Sequence, residues 1–172
     1  MKKILLFSLL ATTLFTSIQS IAQEDKSKRP SPPASVTETI TSGNTITLNY
    51  SQPAVKGRTI GQDIAPVGKV WRTGANEATT FEITKDAMIE GKPLPKGKYS
   101  LYSIPAENSC TIIFNKIWNQ WGTKYTEADD ALRIEATTGK TDSFTERMTF
   151  TVEKSGKVNL LWGDYLVSFT VK

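Results

Sequence analysis

The chain has 172 residues, 38% hydrophobic and 22% charged, which is the composition of one globular domain and excludes a disordered or fibrous chain. Its 21 basic and 17 acidic residues give a formal charge of +4, and because the basic residues are scattered rather than gathered in a stripe, nucleic acid is excluded as a partner. No histidine is present, which removes serine–histidine and cysteine–histidine catalysis and most zinc sites.

Lys2 and Lys3 precede an apolar run over residues 4–15, and Ser20-Ile21-Ala22 supplies small residues at the two positions a signal peptidase reads. The run falls short of the roughly 18–20 residues a membrane-spanning helix needs. Residues 1–22 therefore read as a cleaved signal, and the mature chain, with no transmembrane segment, is expected to be periplasmic or secreted. Cleavage removes two lysines and no acid, which lowers the formal charge to +2. No cysteine sits immediately after the signal, so a lipid anchor is not indicated.

Residues 23–34 are polar, carry Pro30, Pro32 and Pro33, and show no hydrophobic period; they read as an extended leader. From residue 35 to residue 172 period-two alternation recurs at short intervals, giving one domain of about ten strands. These are expected over 36–40, 46–50, 79–84, 87–89, 98–104, 110–115, 132–137, 143–153, 157–162 and 165–171. Ile46, Leu48 and Tyr50 share one face of the second, after a turn at Ser42, Gly43 and Asn44. Phe144, Met148, Phe150 and Val152 are expected on one buried face, and Gly163-Asp164 is expected to turn a tight hairpin. The one helical turn predicted is 127–131, capped by Thr126.

Many short antiparallel strands with frequent turn signals point to an all-β sandwich of jelly-roll or immunoglobulin-like kind, with a closed barrel as the alternative. The Pro- and Gly-rich turn over 91–98, leading into Tyr99, suits a tethered corner of such a sandwich. Cys110 is the only cysteine, so no intramolecular disulfide forms; within the run 110–114 it reads as a small buried hydrophobe.

Four segments carry a resemblance: Lys56-Gly57-Arg58, the run from Trp71 to Thr79, the run from Gly97 to Tyr102, and Trp121-Gly122. With them the chain resembles the secreted bacterial domain-of-unknown-function family 2911 over almost the whole mature length. The resemblance implies a single exported domain and brings no activity, cofactor or catalytic residue with it.

Function is read from two clusters. Arg58, Arg72, Asn76 and Glu77 bring two guanidiniums, a carboxamide and a carboxylate into one irregular stretch, suited to a polar or anionic ligand. The same residues can instead lock one another, an arginine pairing with Glu77 and Asn76 capping a turn opened by Gly74. Trp118 and Trp121 offer flat apolar faces beside amides, the chemistry that sugars and peptides favour; alternatively they plug the open end of the sandwich.

The expected function is a binding module for a glycan, a peptide or a small anionic ligand, with no catalytic residue, cofactor or metal assigned. Two alternatives remain. Asp63 and Glu77 are the carboxylates a glycoside hydrolase would need. The exposed sheet edge or the leader is what a cell-envelope assembly domain would use to recruit a partner protein. Glu127, Asp129 and Asp130 lack the alternating ligands and glycine of a calcium loop, and acids at a helical start account for them better.

Overall fold

The structure is a computed structural model that describes residues 25–172. The expected signal segment and the first residues of the leader lie outside the described residues. Nine strands form among the described residues: β1 (Pro33–Thr39), β2 (Thr45–Ser51), β3 (Thr80–Ile83), β4 (Ala87–Ile89), β5 (Lys92–Leu94), β6 (Gly97–Pro105), β7 (Ser109–Asn115), β8 (Asp130–Val152) and β9 (Lys157–Thr170). Seven build one antiparallel sheet in the order β1-β2-β3-β6-β7-β8-β9, and β4 and β5 form a separate hairpin. The fold is all-β and sandwich-like.

The large sheet curls until distant strands meet. Ala54, just past β2, bridges to Arg147 of β8, and the Phe150 N–H of β8 donates to the Tyr50 hydroxyl of β2 at 3.1 Å. The curl follows from which face is apolar. Ile46, Leu48 and Tyr50 of β2, Phe81 of β3, Phe114 of β7, Met148 and Phe150 of β8 and Phe169 of β9 all point inward and are buried. Phe114 meets Phe81 edge-on at 5.1 Å and Phe169 at 5.9 Å, while Phe81 and Phe169 lie 6.1 Å apart. Burying each such side chain contributes about 1.5–3 kcal/mol, enough for packing alone to hold a domain of this size.

Two local devices fix the strand connections. The Tyr99 hydroxyl donates to the Pro95 carbonyl at 2.8 Å, the expected corner tether. Asn44, buried in the β1–β2 turn, accepts from the Thr84 and Lys85 N–H groups at 3.0 and 3.1 Å and donates to the Lys85 carbonyl at 2.9 Å, tying that turn to the end of β3.

Several expectations are corrected. No hairpin forms at Gly163-Asp164: β9 runs straight through, with Gly163 opposite Thr145 and Tyr165 opposite Lys140. Gly163 adopts φ +63, a conformation that bends the strand, and β8 absorbs the mismatch by register shifts between Lys140 and Thr145 and between Thr145 and Thr149. The strands expected over 132–137 and 143–153 are therefore one, as are those over 157–162 and 165–171, while the short β5 was not anticipated. Phe144 falls in the first shift and is 64% exposed instead of buried. The turn after Thr126 is a 3₁₀ turn over Glu127–Asp129, and the Thr126 side chain makes no capping bond.

Candidate functional site

The loop that follows β2 returns to the sheet at Trp71, which exchanges both backbone hydrogen bonds with Ser103 of β6. It then runs beside the loop that follows β7. The Ala78 N–H donates to the Gln120 carbonyl at 3.0 Å and the Gly122 N–H to the Asn76 carbonyl at 2.9 Å, so Glu77 and Trp121 stand opposite each other in a short antiparallel ribbon. Gly122 is required by close approach. A Cβ there would lie 2.8 Å from Arg72 Cδ and 3.0 Å from the Asn76 carbonyl oxygen.

This ribbon separates two cavities. The first, of about 760 Å³, is lined by Glu77, Trp118 and Trp121 together with Lys98 of β6, Asn49 of β2 and Arg29 of the leader. The second, of about 680 Å³, is lined by Arg58, Arg72, Asp63, Trp71, Tyr102 and Trp162. The single hollow expected for Arg58, Arg72, Asn76 and Glu77 is thus divided. Glu77 joins the two indoles, the arginines lie in the other cavity, and Asn76 lines neither.

The leader is docked rather than free. After a 3₁₀ turn over Lys26–Lys28, capped by the Asp25 carboxylate, three consecutive carbonyls are each held by a different donor of the body. Pro30 accepts from Arg147 Nη1 at 3.2 Å, Ser31 from Asn76 Nδ2 at 3.1 Å and Pro32 from the Gln52 N–H at 2.9 Å. Lys26 Nζ lies 2.8 Å from Glu77 Oε1, and Arg29 Nη1 lies 2.9 and 3.1 Å from the two Glu77 oxygens. Lys26 first, with help from Arg29, brings the Glu77 carboxyl down to about 2. Neither Arg58 nor Arg72 pairs with Glu77, so the mutual lock considered for these residues is replaced by a lock between body and leader. Asn76 serves that lock and does not cap its own turn.

Trp118 is 42% exposed and Trp121 46%, which rules out their plugging an open end of the sandwich. Lys98 Nζ sits 4.5 Å from the Trp118 ring centroid, a cation–π contact that steadies one indole face. In the second cavity Trp71 stacks on the buried Trp162 with centroids 5.2 Å apart and planes 6° from parallel. Arg58 donates from Nη2 to the Ala54 carbonyl at 2.7 Å and from Nε to the Val55 carbonyl at 3.1 Å; Arg72 donates from Nε to the Gly74 carbonyl at 3.3 Å.

With this geometry in place, the comparison with known proteins is specific on one point: residues 31–171 match the protein family of unknown function DUF2911. The chain belongs to this family. No curated protein and no solved structure matches it significantly. In this DUF2911 chain the four segments that carry the resemblance meet around the ribbon, since Trp71 to Thr79 pairs with Trp121-Gly122, Lys98 lines the first cavity, and Arg58 and Tyr102 line the second.

Asp63 and Glu77 line different cavities, and Asp63 Oδ2 accepts the Thr59 N–H at 2.8 Å. They do not form the facing pair that glycoside hydrolysis uses. Cys110 is buried and burial pushes its thiol up to about 11, as expected of a packing residue. Glu127 pairs with Arg133 at 3.0 Å, and Asp130 pairs with the same guanidinium at 2.8 Å. Sequence reading missed Lys26, Arg29, Asn49 and Lys98 as lining residues. The only sequence signal for the leader pair is a cluster of cations, Lys26, Lys28 and Arg29, in a segment with no hydrophobic period.

Proposed function

We propose that this DUF2911 chain is an exported binding module that holds a glycan in the first cavity, against Trp118 and Trp121. The observation that carries this reading is the pair of indoles, each more than two-fifths exposed, standing in one cleft beside Asn49 and Glu77. Large aromatics left open to water inside a concavity offer flat apolar faces to the C–H face of a sugar ring, while neighbouring amides and charges take its hydroxyls. A cleft of about 760 Å³ has the capacity of a short oligosaccharide. Export is supported by the lysine-led apolar segment at the N-terminus.

The test is affinity electrophoresis of the mature chain through gels containing soluble β-glucans, xylan or chitin oligosaccharides, followed by calorimetry on any hit. Retardation by at least one glycan is expected, with Trp118→Ala and Trp121→Ala each weakening binding tenfold or more while the melting temperature stays put. Absence of retardation across the panel, or retardation untouched by both substitutions, overturns the glycan reading.

A further inference from the structure

The second cavity has a chemistry of its own that the glycan reading does not use. Among the described residues neither Arg58 nor Arg72 takes part in an ion pair, whereas Arg29 and Arg133 both sit against carboxylates. Asp63, the acid in the same cavity, engages the Thr59 backbone and pairs with neither arginine. The cavity therefore carries two guanidinium charges against one carboxylate.

Both arginines are held in place by the fold. Arg58 is gripped through Nε and Nη2 by consecutive carbonyls, those of Ala54 and Val55. The Arg72 stem passes directly beneath Gly122, at a spacing no side chain there would allow, and its Nε is fixed on the Gly74 carbonyl. The two terminal nitrogens of Arg72 make no hydrogen bond to a described residue. A planar fork fixed at its base, with its tips uncommitted, matches the two oxygens of a carboxylate.

The cavity wall is aromatic. Trp71, stacked on Trp162, and Tyr102 line it, so a flat surface stands beside the cationic one. At about 680 Å³ the space is far larger than a bare ion needs.

We propose that this cavity is a second binding site, which takes a small ring compound bearing a carboxylate, with the acid on Arg72 and Arg58 and the ring against Trp71. The proposal stands independently of the glycan reading, because the two cavities lie on opposite sides of the Glu77–Trp121 ribbon and share no lining residue.

Calorimetry and indole fluorescence on the mature chain, with glucuronate, benzoate, glucose and inorganic phosphate as probes, test it. Saturable binding of glucuronate or benzoate is expected, at least tenfold tighter than glucose or phosphate. Arg72→Ala should abolish that binding, and Arg72→Lys should weaken it tenfold or more, since lysine keeps the charge and loses the fork. Trp118→Ala should leave it unchanged. Should Arg72→Ala fail to fold, Arg58→Ala supplies the same test, with a loss of at least fivefold expected. Binding of phosphate alone, no saturable binding of either carboxylate, or carboxylate binding that depends on Trp118 and ignores both arginines would each overturn the proposal.

Discussion

Gly122 lies directly over the stem of Arg72, so close that a single added carbon would come within 2.8 Å of Arg72 Cδ and 3.1 Å of its Cβ. One glycine thus lets the Trp121 loop settle onto the segment that begins at Trp71. The ribbon that separates the two cavities depends on this contact.

Gly122→Ala should accordingly destabilise the chain by about 1–3 kcal/mol, the usual cost of forcing an extra group into a filled space. At this chain length that is a fall in melting temperature of roughly 3–10 °C. The double variant Gly122→Ala with Arg72→Ala should recover part of the loss, because Cδ is gone while the Asn76 carbonyl remains at 3.0 Å. Thermal melts of the three variants decide it: strict additivity would show that the two residues do not press on each other.

The pairing of Glu77 with Lys26 and Arg29 makes docking of the leader sensitive to acid. Its carboxyl, ordinarily near 4.5, lies at about 2 in the folded chain. A depressed carboxyl stabilises the folded state above its unfolded value, so the contribution is complete above about pH 4.5 and fades as pH falls through about 2. A carbon-13 NMR titration of the Glu77 side chain should give a midpoint near that lower value. In Lys26→Ala the midpoint should move back toward 4.5, and at neutral pH Glu77→Gln should speed tryptic cleavage after Lys26 and Lys28. An unshifted midpoint in Lys26→Ala would mean that the ion pair does not persist in solution.

Phe144 and Met148 are expected from alternation to share a buried face, yet only Met148 is inside. Phe144→Ser should therefore change stability by less than about 0.5 kcal/mol, whereas Met148→Ala should cost about 2–5 kcal/mol. Urea denaturation compares them. Equal losses would place both side chains in the core and contradict the register shift between Lys140 and Thr145.

Tyr99→Phe removes one tether to the Pro95 carbonyl and leaves the ring in place, so a cost of about 0.5–1.5 kcal/mol is expected. Asn44→Ala removes the acceptor of the Lys85 N–H and the bond to the Lys85 carbonyl from a buried position, while the Thr84 N–H keeps the Thr45 carbonyl. It should cost more, about 1–3 kcal/mol. Chemical denaturation that ranks the two the other way round would remove Asn44 from its role in fixing the β1–β2 turn.

The fold was largely legible because its determinants are local. Ile46, Leu48 and Tyr50 alternate with polar residues, and that period alone assigns a strand with one buried face. The Gly163 region was misread because a Gly-Asp pair marks a hairpin and a bulge equally well, and only the partner strand decides between them. The partner here is β8, whose extra residues are invisible until its register against β9 is known. The chemistry of Glu77, Trp118 and Trp121 marks them in the sequence, and the structure brings those three into one cleft. Assigning Arg58 and Arg72 to the same hollow failed because both precede the Asn76–Gly122 hydrogen bond and line the second cavity, whereas Glu77 pairs with Trp121 and lines the first, a division that sequence proximity cannot reveal. Lys26 and Arg29 were overlooked because the leader adheres through polar contacts, which leave no hydrophobic period behind.

The lone thiol of Cys110 is sealed in the interior and held protonated at any ordinary pH. Alkylating and maleimide reagents should therefore leave the native chain untouched. A cysteine introduced at any surface position would then be the one labelled atom in the molecule, and a fluorophore or spin probe placed beside either cavity would report occupancy of that cavity alone.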